Sequence, residues 1–417
     1  MNKTITISLF FSSKKIISLF LIFSLLFNSA NSQKLIRVKH FGKNKGHLKM
    51  YVHVPANVDI TKPLPMVVML HGCLQCAKKA SAQTGWSKLG DENNFYVLYP
   101  QQRRINNPMR CFKFHKRRHN NKNRGENYSI AQMIEYMKKN YAINDKEVYI
   151  TGLSAGAAFS VVMMADYPET FKSGAIFAGG AYKMGNGYIS AAMGMLGWRI
   201  KSAEKWGSIV RKQNPDFKGE YPQLIIYQGN KDMVVNRRNG IELMKQWTNI
   251  RNAPMTPSET INSFVNVNDI QRNVYRDGNN KEAVIFYKIN KLNHALLVDP
   301  GKCPMQGGKR GFFSKDKNYF STLWTAYDFG LIATPVIIGK TEVTKHEQGI
   351  TYTVPLSANS KYEWIYPNNC TAVKNDNSNT ITLNWGDSSG NINVTEIDFS
   401  GCRKQFKTLF VNIKQEH

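Results

Sequence analysis

The feature that most restricts this chain is the pentapeptide Gly152-Leu153-Ser154-Ala155-Gly156. It directly follows an apolar, β-branched run, Val148-Tyr149-Ile150-Thr151, and directly precedes a helix-forming stretch from Ala157 to Tyr167. A glycine-x-serine-x-glycine turn between a strand and a helix lifts the serine hydroxyl above the C-terminal edge of a sheet. The glycines are required because the turn is strained and the strand and helix backbones approach closely. Such a turn needs a sheet whose strands are joined by helices. Met66–Leu70, Tyr96–Tyr99 (stopped by Pro100), Leu224–Tyr227 and Ile285–Ile289 supply further strands, and Ser129–Asn140 a further helix. Strands alternating with helices predict an α/β fold with a parallel sheet, and their continuous apolar character predicts cover on both faces.

A serine hydroxyl is a weak nucleophile until a base takes its proton and an acid orients that base. In this topology the chain order is serine, acid, histidine. His40, His47, His53, His71, His115 and His119 precede Ser154, and His346 and His417 lie beyond the α/β region. His294, in a loop just past the Val284–Ile289 strand, is left as the base. Asp232 stands on the loop after the Leu224–Tyr227 strand and is the expected acid, with Asp299 as the fallback; Asp166, on the helix after the turn, would point away. An oxyanion needs two backbone N–H donors. The amides of Ala155 and of Cys73, in Leu70-His71-Gly72-Cys73 after an early strand, are expected to supply them, with His71 structural.

The first 32 residues read as a secretory leader: Lys3, Lys14 and Lys15, an apolar run from Ile16 to Phe27, and the small-x-small site Ala30-Asn31-Ser32. That run is shorter than the roughly 20 residues needed to span a bilayer. Removing 32 residues and three lysines from 417 residues at +27 leaves 385 residues at +24, exported to a compartment where cysteines can oxidise. The densest basic run, Arg110–Arg124, has no acid. It is either a solvated loop or an attraction to an acidic polymer or surface. No nucleic-acid-binding motif accompanies the charge, so no nucleic-acid partner is expected, and no metal-ligand spacing or cofactor motif is present.

Beyond Thr334-Pro335 the helical signals vanish. Tyr362-Trp364-Tyr366, Ile381-Leu383-Trp385 and Leu409-Val411-Ile413 alternate with polar residues, separated by turn-rich segments at Asn375–Asn379 and Gly386–Gly390. This predicts an antiparallel β-sandwich over 335–417, after an α/β domain over 33–331. Trp364 and Trp385 are expected in its core. Cys370 and Cys402 both fall in the sandwich and could bridge each other.

The similarity extends well past the serine turn. Pro63–Gln75, Thr84-Gly85-Trp86, Val97–Pro100, Arg124-Gly125-Glu126, Ser129-Ile130, Val148–Gly156 and Tyr167-Pro168-Glu169 together resemble the secreted polyhydroxybutyrate depolymerase-type esterases, related to feruloyl and acetylxylan esterases. The resemblance spans roughly Gly46 to Phe313. It implies an α/β-hydrolase fold and carboxylic-ester hydrolysis without a cofactor, with Ser154, Asp232 and His294 at the triad positions. The substrate it implies is a polyhydroxybutyrate-type polyester, or else an ester-substituted plant polysaccharide. It also implies a Cys73–Cys111 disulfide, leaving Cys76 and Cys303 as a remaining pair unless those thiols are free. The family usually carries Trp-Asn-Trp where Phe112-Lys113-Phe114 stands here. It has Gly-x-Gly before its histidine and Trp two residues after, where this chain has Leu292-Asn293 and Ala295-Leu296. These positions shape the acyl pocket in the family, so Gln75, Trp86, Phe112 and Leu296 are the implied substrate-binding residues. The tail resembles the PKD-like, immunoglobulin-like modules of secreted proteins, through Tyr362-Glu363-Trp364, Ile381–Trp385 and Gly401-Cys402. That resemblance implies a spacer or a polymer- or surface-contact module. The reading from another class is a non-catalytic surface protein that keeps a hydrolase scaffold.

Overall fold

The strand-forming runs assemble into one ten-stranded sheet. In the computed structural model, which describes residues 35–414 apart from 57, 60, 375 and 376, its strands are β1 (Ile36–Val38), β2 (Lys49–His53), β3 (Leu64–Leu70), β4 (Tyr96–Gln101), β5 (Ile143–Leu153), β6 (Ser173–Phe177), β7 (Gln223–Gly229), β8 (Glu259–Ile261), β9 (Ile270–Arg276) and β10 (Glu282–Ile289). They lie in the order β1-β2-β4-β3-β5-β6-β7-β10-β9-β8. The expected leader falls outside the described residues, and among these no helix is long and apolar enough to cross a membrane.

The centre, from β4 to β10, is parallel, as its continuous apolar strands imply. Both margins add antiparallel strands to this expected parallel centre, so the sheet as a whole is mixed. At the β9 margin the connection is the reason. Asp277–Lys281 is too short to carry a crossover, so β9 and β10 can only form a hairpin. Pro100 does not stop β4. The pairing of β4 with β3 ends at Leu98, and Met50 and Lys49 of β2 face Pro100 and Gln101 on the other side, so the missing N–H interrupts no bond to β3.

Helices cover both faces: α1 (Ala77–Thr84), α2 (Trp86–Asn93), α3 (Gly125–Asn140), α4 (Ala155–Asp166), α5 (Tyr188–Met195), α6 (Ala203–Arg211), α7 (Arg238–Ile250) and α8 (Ser321–Phe329). Strand alternation divides the core into two layers. Val148 and Ile150 face one layer with Ile130, Val161, Trp206 and Trp247; Tyr149 faces the other with Trp86, Phe177 and Trp324. Every residue of α4 is buried, and the helix is apolar on all sides. This is the α/β-hydrolase arrangement that the resemblance implies. A small parallel pair, β11 (Leu296–Val298) and β12 (Ser314–Asp316), brackets the loop that follows His294.

The tail forms β13 (Glu342–Val343), β14 (Ile350–Thr353), β15 (Lys361–Ile365), β16 (Thr371–Lys374), β17 (Thr380–Asn384), β18 (Gly390–Ile397), β19 (Arg403–Gln405) and β20 (Leu409–Ile413). These make a sheet ordered β13-β20-β18-β15, with β19 on β18, and a second ordered β14-β17-β16. The short β13–β20 contact is parallel and the other pairs are antiparallel. Trp364 and Trp385 lie in the core between them, each satisfying its indole N–H, on Ser378 O at 2.9 Å and the Tyr352 hydroxyl at 3.0 Å.

The tail is fastened to the α/β part. Cys303 is bonded to Cys402, and Cys73 to Cys111. The Cys76–Cys303 and Cys370–Cys402 pairings are therefore corrected, and Cys76 and Cys370 are free. Cys370 is packed into the sandwich core, whereas Cys402 sits on the turn between β18 and β19, where the loop after β11 reaches it. Hydrogen bonds reinforce the junction: Val265 N–H donates to Thr408 Oγ1, Gln405 Nε2 to Val265 O, and Asn391 Nδ2 to Asn262 O. A crosslink closing 99 residues of chain restricts the unfolded state strongly. The double variant Cys303→Ser/Cys402→Ser should lose about 2–5 kcal/mol of unfolding free energy in urea titrations of the oxidised protein. An unchanged midpoint would show that the link adds nothing to stability.

Candidate active site

The turn after β5 has the strain its sequence requires. Ser154 adopts φ 57°, ψ −121°, outside the regions open to most side chains. It is held there because Ser154 N–H donates to Phe177 O of β6 at 2.9 Å while its own carbonyl accepts from Ala158 in α4. A Cβ on Gly156 would lie 2.3 Å from Leu70 O and 2.5 Å from His71 O; one on Gly152 would lie 2.5 Å from the Gly156 backbone. Only glycine lets α4 start this close to β3 and β5.

Two strands further along, β7 ends in the loop carrying Asp232, and β10 next to it leads to His294. The loops interlock: Asn230 N–H donates to Ile289 O, Lys231 N–H to Leu292 O, and Gly229 packs against the Leu292 carbonyl. His294 Nδ1 and Asp232 Oδ2 are 2.8 Å apart, both residues buried. The other Asp232 oxygen accepts from the Val234 and Val235 amides at 2.9 and 2.8 Å, and Gln228 Nε2 lies 3.3 Å from Oδ2. Asp232 is therefore an acceptor on every side. With Nδ1–H donating to it, the imidazole presents its lone pair at Nε2. Nε2 has no hydrogen-bond partner among the described residues, so the structure pairs Asp232 with His294 but does not close a hydrogen bond from Ser154 to His294. Beneath this edge Phe177, Tyr227 and Tyr287, in register on β6, β7 and β10, stack at 4.4 Å centroid spacing. Phe313 stands edge-on to the His294 ring.

The alternative acids lie elsewhere. Asp166 is buried against the Tyr182 hydroxyl and the Asn127 amide, and burial raises its carboxyl to about 7. Asp299 accepts from Gln306.

The loop after β3 lies against the serine turn: a Cβ on Gly72 would be 3.6 Å from the Ser154 Cβ. The Cys73 N–H donates to none of the described groups, and the Ala155 N–H, first in α4, has no carbonyl one turn behind it within the helix. The loop is fixed from several directions. Gly72 N–H donates to Gln75 Oε1 at 2.7 Å, Leu74 N–H to Met109 O, and Cys73 is bonded to Cys111. His71 is locked in one tautomer, with Nδ1–H donating to Gly72 O at 2.7 Å and Nε2 accepting from Gln102 N–H at 3.1 Å. The Gln102 side chain donates to the fully buried Glu126, which also accepts from Lys113 N–H. Burial pushes Glu126 up to about 7 and pulls His71 down to about 4. Neither Gln102 nor Gln228 is marked in the sequence by any motif; their placement emerges only when strand ends meet.

The residues implied to bind substrate are placed differently. Trp86, Phe112 and Leu296 are 1%, 0% and 2% exposed and belong to the core: Trp86 stacks on Phe329, and Phe112 packs between His71 and Phe159. Gln75, 4% exposed, braces Gly72. None of the four is exposed at the surface of the loops. These side chains support the loops from below because aromatic and aliphatic bulk is buried wherever a loop packs on a sheet edge. Exposed apolar side chains at this edge include Leu74, Met109, Tyr188, Trp198, Met233 and Phe312. Among the described residues no group of three or more His, Cys, Asp or Glu side chains is placed to hold a metal.

A family model described as esterase PHB depolymerase matches residues 48–253, and a PKD-like domain model matches 331–409. Poly(3-hydroxyalkanoate) depolymerase C of Paucimonas lemoignei is 37% identical over 307 residues, covering 73% of this chain and 72% of its own. The chain belongs to the PHB depolymerase esterase family. It is a carboxylic ester hydrolase with a C-terminal PKD-like domain. The acetylxylan esterase of Coprinopsis cinerea is 31% identical over 236 residues, 54% of this chain and 61% of that one. The solved acetyl xylan esterase from Aspergillus awamori shares the fold, with a TM-score of 0.57 at 24% identity over 63% of this chain and 94% of that one.

In this esterase His71 ties the loop after β3 to the end of β4 only while neutral. Its folded pKa, about 4, lies below the unfolded value near 6.5. Its contribution to stability is complete above pH 6.5 and is lost as pH falls toward 4, where the unfolded chain takes up the proton first. Between those limits the wild type should lose about 3 kcal/mol more stability than His71→Asn, read from urea unfolding at each pH. Parallel curves for the two proteins would refute the assignment.

Proposed function

We propose that the protein is an exported serine esterase that acts through Ser154, Asp232 and His294. The pairing of Asp232 with His294 at the sheet edge that carries the strained Ser154 supports this most directly. Nε2 of His294 takes the Ser154 proton as Oγ attacks the ester carbonyl. The negative charge on the tetrahedral oxygen is held by the amides of Ala155 and Cys73. The protonated imidazole then gives its proton to the departing alcohol oxygen as the carbon–oxygen bond breaks, leaving Ser154 acylated. Water, deprotonated by His294, cleaves the acyl group as a carboxylate and restores the hydroxyl. Asp232 keeps the imidazole in the required tautomer and stabilises its charged form.

The substrate we propose is a poly(3-hydroxybutyrate)-type polyester or its oligomers, on the strength of the likeness to the Paucimonas lemoignei depolymerase. The likeness to an acetylxylan esterase favours, as a second reading, ester groups on plant polysaccharide. Export is supported by the two disulfides and by the leader-like N-terminal sequence. The PKD-like domain serves as a rigid spacer or polymer contact.

Ser154→Ala should lower turnover of p-nitrophenyl butyrate by at least about 10⁴-fold with unchanged circular dichroism, and Asp232→Asn by about 10⁴-fold. Retained turnover would reject Ser154 as the nucleophile, and failure of a fluorophosphonate to label Ser154 would point instead to a non-catalytic surface protein. Clearing of a polyhydroxybutyrate suspension against release of acetate or ferulate from xylan separates the two substrates; clearing without release is the expected result.

A further inference from the structure

The chain's charge is not spread evenly over the fold. At the N-terminal ends of the parallel strands, acids and bases neutralise one another: Lys138 with Asp145, Lys172 with Glu147, and Lys281 with Glu220. The opposite edge, which carries Ser154 and His294, is built from residues 71–90, 102–125, 178–203, 230–241 and 290–313. Asp232 and Asp299 are the sole acids in these segments; Lys88, Lys113, Lys122, Lys291 and Arg310 are paired with Glu92, Glu126, Glu169, Asp269 and Asp316 from outside them, and the remaining lysines and arginines still outnumber the acids. Asp232 is bound to His294 and Asp299 to Gln306, so neither offsets the surrounding cations at the surface.

These segments form one continuous rim. Cys73–Cys111 and the Leu74–Met109 bond join the loop after β3 to the loop after β4. Gly187 N–H donates to His115 O, Lys116 lies over Tyr188, and Lys183 Nζ bonds Asn121 Oδ1, which joins the latter to the loop after β6. Asn236 N–H donates to Met195 O, which carries the rim on to the Asp232 loop. Along it Arg104, Arg117, Arg118, Arg237 and Arg238 are exposed, with no carboxylate within 4 Å among the described residues. Exposed cations of one sign around a cleft create a field that reaches about 10 Å at 0.1 M salt and draws anions toward it.

Intact polyester is neutral, but each ester cut at neutral pH leaves one carboxylate and one alcohol in place of the bond. A polymer surface therefore becomes anionic where it has already been eroded. We propose that this cationic rim is a landing surface for carboxylate-bearing, partly hydrolysed polyester, so that the enzyme settles where cutting has begun. The inference rests on the polyester reading of the same site and names the state of the polymer that is recognised. Leu74, Tyr188, Trp198, Met233 and Phe312, exposed among the charges, give the rim apolar contact with the uncut chain.

The test is adsorption of the full-length Ser154→Ala protein, which reads binding without turnover. Films of poly(3-hydroxybutyrate) are compared as cast and after brief alkaline hydrolysis that raises their surface carboxylate. At about 20 mM NaCl the apparent affinity should be about tenfold higher on the hydrolysed film, and at about 500 mM the difference should vanish. Adding Arg104→Glu, Arg117→Glu and Arg118→Glu should abolish the preference while adsorption to the untreated film persists, and circular dichroism reports whether that protein is folded. Equal adsorption to both films at low salt, or a preference insensitive to salt, would overturn the proposal. Preferential binding to polygalacturonate with no distinction between the films would overturn it too, in favour of an acidic polysaccharide. Film clearing by the unmutated enzyme is measured alongside: if it fails, the polyester reading falls, whereas clearing without a film preference removes the landing surface alone.

Discussion

Everything at the functional edge depends on how closely α4 can approach the strands beneath it. Gly152 and Gly156 remove the two side chains that would collide with Gly156 and with the Leu70 and His71 carbonyls, at 2.5 Å or less. That approach holds Ser154 in its strained positive-φ backbone conformation and places the first amide of α4 beside the loop after β3. The strain is sustained by surroundings that leave no alternative: α4 is buried over its whole length, and Ser154 N–H is fixed to β6. Replacing either glycine would disturb the serine, the loop after β3 and the helix together.

A second layer of order comes from buried polar groups that touch no substrate position. His71, Gln102, Glu126 and Lys113 connect the loop after β3 to the end of β4, the basic loop and the start of α3. On the other flank Gln228 and the Val234 and Val235 amides surround Asp232. Buried polar groups that are hydrogen-bonded favour one geometry, because breaking those bonds leaves a desolvated donor or acceptor unmatched. In this esterase such groups do for the loops what apolar packing does for the strands. The Cys73–Cys111 bond does the same covalently.

The tail is more closely integrated than a spacer needs to be. Cys303 lies on the loop between β11 and β12, the same loop that starts beyond His294 and ends at Phe313, and its partner Cys402 belongs to the PKD-like sandwich. The sandwich thereby anchors a segment bordering the functional edge. The arrangement of charge has a comparable logic. Acids and bases are paired where strands begin, whereas the edge where strands end carries Arg104, Arg117, Arg118, Arg237 and Arg238 with no carboxylate within 4 Å among the described residues.

Much of this was legible in the residues. The strand–Gly-x-Ser-x-Gly–helix pattern dictates its turn because no other residues tolerate that backbone path. Continuous apolar runs against alternating ones separate a sheet covered on both faces from a sandwich. Chain order and elimination among nine histidines single out Asp232 and His294, and the fold sets these two side by side. What sequence could not supply were contacts between segments remote in the chain. The partner of Cys402 was decided by which loop the sandwich docks against, since Cys370, near in sequence, is committed to the core. Trp86, Phe112 and Leu296 were turned inward because loops packed on a sheet edge bury their bulk beneath them, a choice that composition does not encode. The antiparallel pairing of β9 with β10 followed from the short loop between them. Local sequence determines what is governed by a few neighbouring dihedrals and by periodicity; pairings, burial and the gathering of charge on one face depend on the distances that only the folded chain sets.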